Sequence, residues 1–153
     1  LCALFDGETT RDFRGTVEPW LDGMEDPVRK HALQEWALQA RTGSFLRGGL
    51  PLAVWWFPGN PLGEAPGASG FDSSTTQVAI WSPAGAMRAP VVVDPLSGEV
   101  FEPAHEPMPM PHGSTPGIRL LGVPLKRTPM IAVDRGAIEI LADEARTAAP
   151  ECK

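Results

Sequence analysis

In its first half the chain reads Ala53-Val54-Trp55-Trp56-Phe57-Pro58-Gly59-Asn60, an apolar run that ends in paired tryptophans and stops at a Pro-Gly turn. Apolar runs of about four to eight residues between turn formers are typical of strands covered on both faces. Gly48, Gly49 and Pro51 precede the run, which predicts a buried strand over 52–57. Large aromatic side chains dominate protein cores, so both indoles can belong to the core. If one of them faces a cleft, the other points into the core, because successive strand residues face opposite sides, and Trp56 is the preferred cleft residue.

A helix is predicted immediately before this strand. Asp26-Pro27 supplies an N-cap and a proline at the first helical position. Apolar residues recur every four positions from Val28 to Ala40. The predicted helix runs to about Arg47, where Gly48-Gly49 resembles a helix C-cap. The apolar run over 1–5 predicts an earlier strand. The order strand, helix, strand favours an α/β segment with a parallel crossover.

The chain beyond Pro90 has a different character, because short β-rich runs alternate with turns such as Asp94-Pro95-Leu96-Ser97-Gly98. Strands are predicted over 91–93, 99–101, 118–123 and 130–133. The predicted fold class is therefore α/β followed by all-β. Residues 1–90 form a barrel-like α/β segment in this prediction, and residues 91–153 form a small antiparallel β module with a C-terminal tail.

Composition limits the classes of partner. With 19 acidic and 13 basic residues, the net charge of -6 and the absence of a Lys/Arg run argue against nucleic acid. No apolar run reaches the roughly 18 residues of a membrane helix, so no membrane association is expected. The two cysteines, Cys2 and Cys152, leave a bridge and free thiols equally open. The compartment stays undecided, with an extracellular location favoured.

A series of short motifs that begins with the tryptophans resembles a known family. Trp55-Trp56-Phe57-Pro58-Gly59, then Glu64, then Gly70-Phe71-Asp72, then Ile80 to Pro90 are similar in order to the end of a cellulase-superfamily glycoside hydrolase barrel. The resemblance implies that 52–57 is the eighth strand of a (β/α)₈ barrel. It also implies that residues after 90 resemble the small β-sandwich that often follows such barrels.

The resemblance implies a set of site residues. An indole of Trp55 or Trp56 would floor a sugar subsite, and Glu64, Asp72 and Arg88 would line the substrate cleft. The nucleophilic glutamate of the family has no direct match, so Asp6 and Glu8 are the candidate catalytic carboxylates. Retaining glycosidases need two such groups about 5–5.5 Å apart.

The resemblance implies that the chain is part of a carbohydrate-active glycoside hydrolase. Its contribution would be an aromatic sugar-binding wall and a C-terminal β module. A complete barrel usually takes about 250 residues, so we expect this chain to be a piece of a longer protein, inactive when isolated and partnered by the rest of its barrel. The alternative is a non-catalytic β-rich module that holds a glycan or a protein partner. A shorter resemblance, over Leu4–Thr9 to a sugar-acting jelly-roll family, has no downstream support.

Neither a metal nor a cofactor is expected. His31, His105 and His112 lack the spacing of metal ligands, and two cysteines alone do not make a zinc site. The glycines over 63–70 lack the lysine pattern of a phosphate-binding loop.

Overall fold

The computed structural model describes residues 9–12, 14–21, 31, 35, 38–57, 75–108, 116–126 and 128–137. These residues include ten strands, the helical residues His31 and Glu35, and a helical stretch at 135–137. The strands are β1 (Thr9–Arg11), β2 (Thr16–Leu21), β3 (Arg41–Arg47), β4 (Leu50–Trp56), β5 (Thr75–Trp81), β6 (Pro90–Val93), β7 (Val100–Phe101), β8 (Ala104–Met108), β9 (Gly117–Pro124) and β10 (Met130–Asp134). None of the helices within this part of the chain is long and apolar enough to cross a membrane.

The strands form two antiparallel sheets. The six-stranded sheet has the order β1-β3-β4-β10-β6-β7, and the four-stranded sheet has the order β2-β5-β9-β8. Both sheets contain strands from before and after residue 90, so the described strands do not separate at that point. Buried side chains from both sheets meet in one core, which gives the chain a β-sandwich-like architecture.

The predicted fold class, α/β followed by all-β with a barrel-like strand-helix-strand segment, is wrong. The strand predicted over 52–57 exists as β4, but its neighbours β3 and β10 both run antiparallel to it. The last part of the predicted helix, 41–47, is strand β3. Four further strands, β1, β2, β5 and β8, lie where no strand is predicted. The eighth strand of a parallel barrel is therefore excluded for this run.

A two-residue turn explains why the helix prediction failed. Gly48 and Gly49 have φ values of 56° and 79°, and they join β3 to β4 with Arg47 opposite Leu50. Two positive φ values in a two-residue loop define a type I′ hairpin turn. A helix C-cap also needs a residue with positive φ, which is why a Gly-Gly pair fits both interpretations.

The core between the sheets is built from alternate residues of the strands. In β4, Ala53 and Trp55 are fully buried and pack with side chains of the four-stranded sheet, among them Val78 and Leu120. Burial of a large apolar side chain stabilises the fold by about 1.5–3 kcal/mol. Trp55 is the largest of the fully buried side chains and occupies the centre of this core.

The opposite face of the six-stranded sheet is also buried around its middle. Leu52, Val91, Ile131 and Val133 form a second apolar cluster there, each at most 3% exposed. Ala137, in the helical stretch that follows β10, packs in the same cluster. A sheet covered on both faces has strands without polar alternation, which accounts for the unbroken apolar run of β4.

An ionic network supports the turn between β6 and β7. Asp94 is nearly buried, and its carboxylate accepts hydrogen bonds from the Lys126 ammonium at 2.9 Å and from the Leu96 N–H at 3.0 Å. Lys126 also pairs with Glu99 and lies 5.1 Å from the centre of the Phe101 ring. Burial by itself raises the pKa of Asp94, but the hydrogen bonds, chiefly from Lys126, outweigh it and lower the pKa to about 2.

The Asp94 network predicts a pH-dependent loss of stability. The folded pKa of about 2 lies below the ordinary 3.8, so the stabilisation is present above pH 4 and is lost as pH falls toward 2. We expect Asp94→Asn to lower the unfolding free energy by about 2 kcal/mol at pH 7, with a smaller difference near pH 2.5. Urea unfolding at both pH values measures the two differences.

A matched control is Glu102→Gln, which removes an exposed carboxylate that pairs with Arg135. Exposed ion pairs contribute little, so we expect no measurable change. An Asp94→Asn penalty that is equal at both pH values would contradict the ionic origin of the stabilisation.

The hairpin turn supplies a second prediction. No atom of the described residues lies within 4 Å of a Cβ built on Gly48 or Gly49, so a substitution there changes only backbone strain. Gly48→Asn should leave the unfolding free energy almost unchanged, because Asn-Gly suits the type I′ turn. Gly49→Val should lower it by about 1–2 kcal/mol, because a left-handed conformation is costly for L-residues and most of all for β-branched ones. Equal urea midpoints for the two variants would rule out the assigned turn.

Candidate functional site

A hollow of about 340 Å³ opens on the outer face of the six-stranded sheet, opposite the core that contains Trp55. It lies over the paired strands β3 and β4 near one end of the hairpin, with the end of β1 at its side. Its lining consists of one tryptophan, one phenylalanine, one arginine and three smaller residues, namely Trp56, Phe45, Arg11, Thr42, Gly43 and Val54. Small-molecule sites begin at about 300 Å³, so the hollow has room for a ligand of one or two rings.

The register of the hairpin places these residues together. Gly43 lies opposite Val54, and Trp56 lies opposite Arg41. Phe45 is opposite Arg11 across the β1–β3 pair, on the same face of the sheet as Trp56. The two aromatic residues thus lie on either side of the cross-strand pair formed by Gly43 and Val54.

Gly43 has no side chain, and this leaves space for the Phe45 ring in the lining of the hollow. A Cβ built on this residue would come within 2.8 Å of a carbon of the Phe45 ring. The absence of a side chain therefore lets the Phe45 ring lie against the backbone at Gly43. Any larger residue at position 43 would displace the ring and fill part of the hollow.

The end of β1, which carries Arg11, is held by a buried polar cluster. Asp12 is buried, its N–H donates to the Ser44 carbonyl at 2.9 Å, and its carboxylate accepts from the Ser82 hydroxyl at 3.0 Å. These bonds tie β1 to β3 and to the end of β5. Satisfied buried hydrogen bonds of this kind restrict the local backbone, so they fix the position of Arg11 beside the hollow.

The two adjacent tryptophans have opposite surroundings. Trp55 is fully buried, whereas Trp56 is 39% exposed and lines the hollow. The indole N–H of Trp55 is buried and has no hydrogen-bond partner among the described residues. Only Trp56 of the pair is positioned to contact a ligand in this hollow.

The remaining predicted site residues are not brought to the hollow. Arg88 is exposed in the connection between β5 and β6, where its backbone N–H donates to the Asp134 carboxylate at 2.7 Å. The catalytic candidates Asp6 and Glu8 and the cleft candidates Glu64 and Asp72 lie outside the described residues, as do Cys2 and Cys152. The part of the chain that the structure describes contains no group of three His, Cys, Asp or Glu residues able to hold a metal ion.

The sequence prediction missed most of the lining. Thr42, Gly43 and Phe45 were not site candidates, because the predicted helix extends to about Arg47. Arg11 was not a candidate either, because no strand is predicted over 9–11. The turn contains the signal that would have found three of them. If Gly48-Gly49 is taken as a type I′ turn, counting away from it pairs Gly43 with Val54 and Arg41 with Trp56.

Comparison with known proteins adds no relative. No family model matches the chain, and neither the curated proteins nor the solved structures contain a match.

Proposed function

We propose that the chain is a glycan-binding module, in which Trp56 forms the aromatic surface on which a sugar ring stacks. The observation that carries the proposal is the position of Trp56: 39% exposed at the wall of a hollow, in a strand whose preceding tryptophan is fully buried. Sugar rings have an apolar face of C–H groups, which packs well against an indole. Exposed tryptophans with one side apolar and one side wet are typical of recognition surfaces.

The polar residues of the hollow support the same ligand class. Arg11 contributes a guanidinium, while Phe45 and Val54 are apolar. Binding sites for small molecules combine an apolar wall with a few polar groups that orient the ligand. A hydroxyl-rich ring with one apolar face matches this combination.

The proposed function does not include the glycoside hydrolase barrel. It relied on parallel strands in the first half of the chain, and β4 pairs antiparallel on both sides. The binding role does not need the barrel, because it depends on a single exposed indole and the residues around it. It corresponds to the alternative interpretation of the sequence, a β-rich module that holds a glycan.

Substitution of the tryptophans tests the proposal. We expect Trp56→Ala to weaken binding of a responsive oligosaccharide at least tenfold, which corresponds to about 1.4 kcal/mol of lost stacking. The measurement is isothermal titration calorimetry with a panel of neutral and acidic oligosaccharides, after circular dichroism has shown that each variant is folded.

Trp20→Ala is a matched control. Trp20 is also 39% exposed, but it lies on β2 in the other sheet, where the Arg119 guanidinium sits 5.4 Å from its ring centre. This variant should bind as the unchanged chain does. Equal weakening by both substitutions, or no binding across the panel, would overturn the proposed function.

A further inference from the structure

We infer that the hollow selects an acidic sugar, whose carboxylate pairs with the guanidinium of Arg41 while the ring stacks on Trp56. This inference rests on the proposed function and names its ligand class, a uronate-containing oligosaccharide. It is carried by the register of the β3–β4 hairpin, which places the exposed Arg41 directly opposite Trp56, beside the hollow.

The strands around the hollow carry positive charge only. β1, β3 and β4 contain Arg11, Arg41 and Arg47 and no aspartate or glutamate. The whole chain has the opposite balance, with 19 acidic against 13 basic residues. A ligand carboxylate that reaches Arg41 therefore meets no like charge from these three strands.

Arg41 is the arginine best placed for a ligand that stacks on the tryptophan. It lies directly opposite Trp56 in the β3–β4 register, on the same face of the sheet, and it is exposed. Side chains of directly opposite residues start about 4.5–5.5 Å apart, so both can contact the same sugar ring. A guanidinium binds a carboxylate through two parallel hydrogen bonds, which fixes the ring orientation as well as its charge.

Arg11 and Arg47 lie on the same face of the sheet as Arg41. Arg11 lines the hollow on the side of Phe45, and Arg47 donates a hydrogen bond to the Thr9 hydroxyl at 3.3 Å. Both take part in interactions within the chain, so the ligand carboxylate is assigned to Arg41. The attraction between Arg41 and that carboxylate is screened by salt, because the Debye length falls to about 3 Å at 1 M.

The experiment compares pairs of ligands that differ only in charge. The chain is titrated with uronate oligosaccharides, trigalacturonate and triglucuronate, and with the methyl ester of each. At 50 mM NaCl we expect the acid of at least one pair to bind five- to tenfold more tightly than its ester. At 500 mM NaCl that ratio should approach one. Arg41→Gln should remove the preference, and Trp56→Ala should weaken the acid and the ester alike.

Arg88→Gln is the charge-matched control, because Arg88 is an exposed arginine outside the hollow. It should preserve the preference for the acid. If the acid and the ester bind with equal affinity and Trp56→Ala still weakens both, the preference for an acidic sugar is overturned, whereas the proposed glycan binding stands. Binding of the acids that survives Trp56→Ala would overturn the stacking role and with it the proposed function. Failure of every ligand to bind would overturn both.

Discussion

The tight turn at Gly48-Gly49 is the constraint from which the candidate site follows. With both φ values positive, the turn admits only two residues between β3 and β4, so the pairing of the whole hairpin is set. A slip of one residue would exchange the two faces of β4. Trp56 would then enter the core, and Trp55 would leave it. The distinction between a structural and a ligand-facing indole therefore originates in two glycines that contact neither ring.

The central strand also shows how far sequence reasoning extends. The prediction that residues 52–57 form a strand covered on both faces agrees with the burial of Leu52 on one face and Ala53 on the other. It did not reveal the direction of the neighbouring strands, because coverage of both faces is usual for parallel sheets but is not confined to them. The strands predicted over 91–93, 118–123 and 130–133 were found because turn residues bound them on each side.

The lining of the hollow was only partly predictable from the sequence. The Trp55-Trp56 pair drew attention to the strand that borders the hollow, and alternation along that strand agrees with the burial of Trp55 and the exposure of Trp56. The other wall of the hollow comes from β3, whose residues 41–47 contain charged and small side chains that fit a helical surface as well as a strand. Local propensity did not separate these alternatives, and pairing with β4 decides them. The position of Arg11 could not be predicted, because it depends on the pairing of β1 with β3, which lie more than 30 residues apart in the sequence.

The position of β10 has a consequence for how the chain is made. It is the last of the described strands, yet it lies in the middle of the six-stranded sheet, between β4 and β6. Until residues 130–134 have been synthesised, β10 cannot pair with the facing edges of β4 and β6, both strongly apolar. Open apolar edges are templates for pairing with other chains. Among the described strands, β10 is therefore the one that protects these two edges against aggregation, and contacts of long sequence separation make that closing step slow.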